Sequence, residues 1–102
     1  MQIAQEKKCL DPLILDLRGI SSIADYFVII SGNSDRHVKA LVNEIDVQLK
    51  HEGEMHCRKE IDSDYNWCII DYGDVLVHIF SQKAREYYRL ERLWNDAKEV
   101  SI

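Results

Sequence analysis

The sequence predicts an α/β protein: a single mixed sheet of about five strands with helices packed on it. Three observations carry that expectation. Apolar, β-branched runs alternate with stretches of helical spacing. A Gly-Asp pair divides one long β-rich segment in the manner of a hairpin. At 102 residues the chain is long enough for one core and too short for two.

Residues 1–9 are polar and weakly periodic, and read as a short N-terminal helix remnant. They precede a core of about 12–97 within one domain spanning 1–102. Leu13-Ile14-Leu15-Asp16-Leu17 reads as a strand ended by Arg18-Gly19. Tyr26-Phe27-Val28-Ile29-Ile30 is a continuous apolar run stopped by Ser31-Gly32-Asn33-Ser34, which indicates a strand buried on both faces. Ser34 suits an N-cap and Asp35 the first helical turn. Val38, Leu41, Val42, Ile45 and Leu49 then form one apolar stripe, on a helix ending near Gly53 that covers the sheet. Residues 54–60 read as a polar edge strand and 62–66 as a loop. From Ser81 to Ala97 the composition is helical: Tyr87, Leu90 and Trp94 share one face, with Tyr88 and Leu93 beside it, and Arg85, Arg89 and Arg92 fall mostly on the solvated side.

The segment from Trp67 to Phe80 is the most informative. Gly73 and Asp74 suit a two-residue type II′ loop, which sets Tyr72 opposite Val75, Ile70 opposite Val77 and Cys68 opposite Ile79. That face is wholly apolar and belongs against a core. The other face pairs Asp71 with Leu76, Ile69 with His78 and Trp67 with Phe80. Its mixture of large aromatics with a carboxylate and an imidazole suits a protein interface. It equally suits a core covered by the terminal helix, and the register leaves both readings open.

The formal charge of −5 argues against a surface built to gather phosphates and permits docking on a basic protein. Cys9, Cys57 and Cys68 are odd in number and irregularly spaced, a poor disulfide framework. With no signal-like segment and no apolar run near the ~20 residues of a membrane span, the expectation is a cytoplasmic protein.

Three chemical readings compete with structural ones. The Ser31-Gly32-Asn33-Ser34 turn follows a strand and opens a helix, a place for an anion, and resembles the Gly-Ser signature of nucleotidyltransferases; the structural turn with a helix cap is the favoured reading by a wide margin. Nucleotide transfer needs closely spaced carboxylates, whereas Asp16 is alone on its strand and Asp71 and Asp74 straddle a turn. His51, His56, Cys57 and Cys68 show no CxxC or HxxxH spacing, so no metal is expected. His78 has no evident nucleophile or orienting acid beside it and reads as a structural imidazole. The expectation is a protein that is not an enzyme and carries no cofactor, the alternative being an enzyme or nucleotide-binding protein of nucleotidyltransferase fold.

Three linked segments are similar to the ribosomal silencing factor (Iojap-like) family: Ala24 to Ser34 followed by Asp35-Arg36-His37-Val38; Trp67 to Phe80 with Asp71-Tyr72-Gly73-Asp74 and Val77-His78 at its centre; and Arg85 to Trp94. Together they span about residues 12–97. Two departures stand out: only nine residues precede the first strand, and Ile61 follows Glu60 where the family tends to have Gly. The resemblance implies a nucleotidyltransferase-like fold without its catalysis. It also implies translation repression, by binding universal large-subunit protein fourteen on the large ribosomal subunit and blocking the small one. Carried over by position, the docking residues are Trp67, Ile69, Asp71, Tyr72, Gly73, Asp74, Leu76 and Tyr88. A minor contact of the last helix with ribosomal RNA, and a homodimer that hides the Trp67 face in the free state, complete the expectation.

Overall fold

In the computed structural model, which describes residues 9–20, 22, 24–51, 58–89 and 98–100, the chain runs through β1 (Leu10–Asp16), β2 (Tyr26–Gly32), α1 (Asp35–His51), β3 (Arg58–Ile61), β4 (Trp67–Asp71), β5 (Val75–Ser81), α2 (Gln82–Tyr88) and β6 (Lys98–Val100). The strands form one six-stranded sheet in the order β3-β4-β5-β2-β1-β6. β2 and β5 are parallel and every other neighbouring pair is antiparallel. The expected mixed α/β sheet is therefore present, with one strand more than the five read from sequence. β6 has three residues, too few for a period-2 pattern to be legible. The N-terminal helix remnant lies outside the described residues, as do Gly53, Leu90, Arg92, Leu93 and Trp94. No helix among the described residues is long and apolar enough to cross a membrane.

β1 begins with an irregularity that its sequence requires. Pro12 has no N–H to give a ladder, and the register slips between Leu10 and Leu13. Asp11, just before it, takes a left-handed φ of 47°. β2 is central and, from Ile29 to Gly32, buried. Its last residue must be small: a Cβ on Gly32 would stand 2.9 Å from both the backbone nitrogen and Cγ2 of Val38. The turn between them is built as a cap. The Ser34 hydroxyl accepts the His37 backbone N–H at 3.1 Å, and His37 Nδ1 accepts that of Asn33 at 3.0 Å. The candidate anion-binding loop is thus occupied with closing its own helix end.

α1 packs on one face of the sheet, with Val38, Leu41, Val42 and Ile45 against Ile30, Cys68, Ile70, Val77 and Ile79. This is the apolar face expected of the hairpin. Lys59 extends the contact to the sheet edge, where its Nζ reaches Asp46 of α1 at 2.7 Å. The opposite face carries a second core: Leu15, Leu17, Ala24, Phe27, Ile29 and Phe80, with Ala84 of α2 packed on them.

α2 departs from its expected course. Ser81 ends β5 and caps the helix at once, its hydroxyl accepting the Ala84 N–H at 3.1 Å. After seven residues Arg89 turns left-handed (φ 47°) and its N–H closes on the Arg85 carbonyl. The single helix expected through Ala97 is broken at that point, and no Gly or Pro signals it. Nor does the expected facing hold. Tyr87 is 81% exposed, and Ala84 turns inward instead. Arg85, read as solvated, donates to the Asp11 carbonyl and to the hydroxyl of buried Ser31. The left-handed kink at Asp11 is what presents that carbonyl to the guanidinium.

Candidate docking face

The candidate site grows out of the hairpin. Gly73, at φ 88°, is the residue that can make the first turn position without strain, and Asp74 keeps a negative φ, the pattern of a type II′ loop. The Gly73 N–H donates to Asp71 Oδ1 at 2.7 Å, and Tyr72 closes on the Val75 carbonyl at 2.9 Å. The tip is anchored from outside as well, since the Asp74 carbonyl accepts the N–H groups of Asp25 and Tyr26. With the loop held, the pairs are Trp67–Phe80, Cys68–Ile79, Ile69–His78, Ile70–Val77 and Asp71–Leu76, as two-residue geometry demands.

Alternation then sorts the predicted docking residues. Trp67, Ile69, Asp71 and Leu76 leave the sheet on the face away from α1, and all four are half-buried. They extend over about 13 Å of strand, from Trp67 at one end to Asp71 at the other. Gly73 and Asp74 are exposed at the hairpin tip. Tyr88 reaches back from α2 to lie 4.7 Å from the Trp67 ring, and stays 49% exposed. Tyr72 is set apart from these: it sits on the α1 face, packed beside that core.

The cover that one of the two readings expects is present at one end of this face only. At the Trp67 end, α2 covers the sheet. Phe80 is fully buried, and the indole stacks on it at 5.0 Å. At the Asp71 end no helix of the described residues reaches. Ile69 and Leu76 floor a depression of about 160 Å³, walled by Asp71, Arg58 and Glu60. Sequence reasoning misses the last two. They arrive because β3 pairs Arg58 with Asp71 and Glu60 with Ile69, which puts their side chains on the same face. The polar alternation of 58–61 is the available signal, but only the pairing says which strand it joins.

His78 lies under Trp67. The indole N–H donates to its Nδ1 at 3.1 Å, and the imidazole is 4% exposed. Burial pushes its pKa down to about 4 from the usual 6.5, so the ring is neutral near pH 7. Burial also pushes the Cys68 and Cys9 thiols up, away from thiolate reactivity.

Among the described residues no three His, Cys, Asp or Glu side chains come together as a metal site. Following the pairs Asp71–Leu76, Leu76–Phe27 and Phe27–Leu15 across the sheet puts Asp16 on the opposite face from Asp71. Asp16 is instead paired with Arg18 at 2.8 Å.

A family model described as "Ribosomal silencing factor during starvation" matches residues 1–102. The chain is 45% identical over 92 residues to the ribosomal silencing factor of Bacillus subtilis, covering 90% of this chain and 78% of that protein. It is 28% identical over 102 residues to the chloroplastic Iojap protein of Zea mays, covering 97% of this chain and 43% of that one. Among solved structures, a Chromobacterium violaceum protein superimposes with a TM-score of 0.87 at 31% identity, covering 99% of this chain and 83% of that one. A crystal structure from Bacillus halodurans gives a TM-score of 0.85 at 34% identity, covering 99% and 91%. With the family model matched over residues 1–102 and a relative 45% identical across 90% of its length, this chain belongs to the ribosomal silencing factor family.

Proposed function

We propose that this protein represses translation by occlusion: it docks through the β3-β4-β5 face on universal large-subunit protein fourteen and bars the small subunit from joining. The observation that supports this reading is the half-covered face itself. Trp67, Ile69 and Leu76 are apolar and partly open to solvent, beside Asp71 and the exposed Asp74. An aromatic anchor with aliphatic neighbours inside a charged rim is the usual anatomy of a protein interface. The acidic rim and the net charge of −5 suit a basic partner. A standard interface of about 800 Å² per partner is enough for specific binding, and steric competition needs no chemistry from the bound protein.

On this reading Trp67 is the anchor, Ile69, Leu76 and Tyr88 surround it, and Asp71 with Asp74 meets cationic side chains. Tyr72 and Gly73 contribute by shaping the tip. The protein acts in the cytoplasm. The free chain pairs with a second copy over the same apolar patch until the subunit displaces it. Any contact with ribosomal RNA is minor and comes from basic residues of the terminal segment, such as Lys83.

The test is sedimentation with isolated large subunits, followed by challenge with small subunits. The chain should co-sediment and be displaced as the small subunit associates. Trp67→Ala should weaken binding to the large-subunit protein about 30-fold, an anchor loss of about 2 kcal/mol. A chain that ignores large subunits, or a Trp67→Ala variant that binds as tightly as wild type, overturns the reading.

A further inference from the structure

Trp67 and His78 are diagonal neighbours on the hairpin. Phe80 is directly opposite the indole, and Ile69 is opposite the imidazole. The two rings lie 6.0 Å apart, tilted by 40°. Their hydrogen bond, Trp67 Nε1–H to His78 Nδ1 at 3.1 Å, therefore depends on both side chains leaning along the strands toward each other. Indole nitrogen can only donate, so Nδ1 is the acceptor and the neutral imidazole carries its proton on Nε2. Nε2 is buried and meets no hydrogen-bond partner among the described residues.

The two partners differ in freedom. The imidazole is held: Phe27 stands edge-on at 4.6 Å, Phe80 lies 6.3 Å away, and only 4% of the residue is exposed. The indole is half-exposed, and beside His78 it meets the stacked Phe80 and the tilted Tyr88. Stacking on Phe80 holds the indole by dispersion, which carries no donor–acceptor direction and does not by itself fix where the N–H points. A single directed bond to a fixed acceptor does fix it. Without the acceptor the N–H would find water, and the ring would turn outward to reach it.

We propose that His78 is a positioning residue for the docking face: its Nδ1 locks the half-exposed indole of Trp67 in one orientation before the large-subunit protein arrives. The proposal rests on the docking reading and deepens it. Pre-organising an anchor removes the cost of ordering it at the moment of binding, so the gain falls on affinity. The role explains why a buried imidazole is kept in a face whose other buried side chains are almost all apolar.

The test compares three chains in two measurements. His78→Leu removes the acceptor. His78→Asn carries an amide oxygen close to the place of Nδ1 and restores it. In the free chains, diluted until monomeric so that no second copy covers the patch, exchange of the Trp67 indole N–H with solvent is followed by NMR. It should be slow in wild type and in His78→Asn, and about fivefold or more faster in His78→Leu. Affinity for isolated large subunits should fall by roughly fivefold to tenfold in His78→Leu and return to within about twofold of wild type in His78→Asn. Should His78→Leu not fold, His78→Gln, whose oxygen falls where Nε2 stands, takes its place with the same expected loss. A folded His78→Leu or His78→Gln that binds as wild type does, or a His78→Asn that is as weak as they are, overturns the positioning role. A wild-type chain that does not bind overturns the docking reading and the affinity claim with it. The exchange rates then still decide whether Nδ1 holds the indole.

Discussion

Ile69 and Ile70 adjoin on β4, yet Ile70 is fully buried beneath α1 while Ile69 stands half-exposed on the far face, flooring the depression beside Leu76. The same substitution should therefore have opposite consequences one residue apart. Ile70→Asp buries a carboxylate against Leu41 and Ile79 and should cost about 4 kcal/mol or more, enough to abolish folding. Ile69→Asp should cost about 1 kcal/mol of stability and leave the circular dichroism spectrum intact. It should weaken large-subunit binding roughly tenfold or more. A folded Ile69→Asp chain that binds normally would remove this face from the interface.

His78 gives stability a dependence on pH. The folded-state pKa is about 4 against an ordinary 6.5, so between those values the unfolded chain binds more protons than the folded one. The contribution is fully present above pH 6.5 and is lost as the pH falls to about 4, amounting to roughly 3 kcal/mol in all. Denaturant unfolding at pH 7, 5.5 and 4 should show it. Carboxylates also titrate toward the bottom of this range, so the comparison is with His78→Asn, which lacks this component. Parallel profiles for the two chains would contradict the assignment.

Gly32 and Gly73 should fail in different ways. Gly32→Ala forces a Cβ to within 2.9 Å of the Val38 backbone, at an expected cost of about 1–3 kcal/mol. Gly73→Ala meets open space, and its cost is the φ of 88° alone, about 1 kcal/mol. Thermal melts should rank Gly32→Ala below Gly73→Ala, with a loss of about 4–8 °C for each kcal/mol. The reverse order would refute the close approach of β2 and α1.

Arg85 ties α2 to the β1 kink through the Asp11 carbonyl and to β2 through the Ser31 hydroxyl. Arg85→Ala should cost about 1–3 kcal/mol, since Ser31 is buried and loses its charged donor. Hydrogen exchange should quicken selectively over residues 82–88. Uniform protection equal to wild type would show that the seven-residue helix is held without Arg85.

Sequence alone settled what local pattern can settle. A stripe of five apolar residues defines α1, and Ser34 does cap it. Gly73-Asp74 defines a hairpin whose whole register then follows, because the side-chain period of a strand is two and a tight turn leaves no slack. That is why the order of residues is enough to put Trp67, Ile69, Asp71 and Leu76 on one face and to turn Tyr72 away from them.

Tertiary structure alone decided what depends on partners far apart in the chain. Arg58 and Glu60 join the face through the pairing of β3 with β4 across a loop whose length does not dictate register. Arg85 turns inward because a carbonyl 74 residues away is kinked toward it, and nothing in the helix's own periodicity records that. The Trp67–His78 bond is a diagonal contact, set by how two side chains lean once Phe27 and Phe80 have packed around them. Periodicity reports which way a residue points. Which neighbour it meets there is fixed only when the sheet closes and water has left.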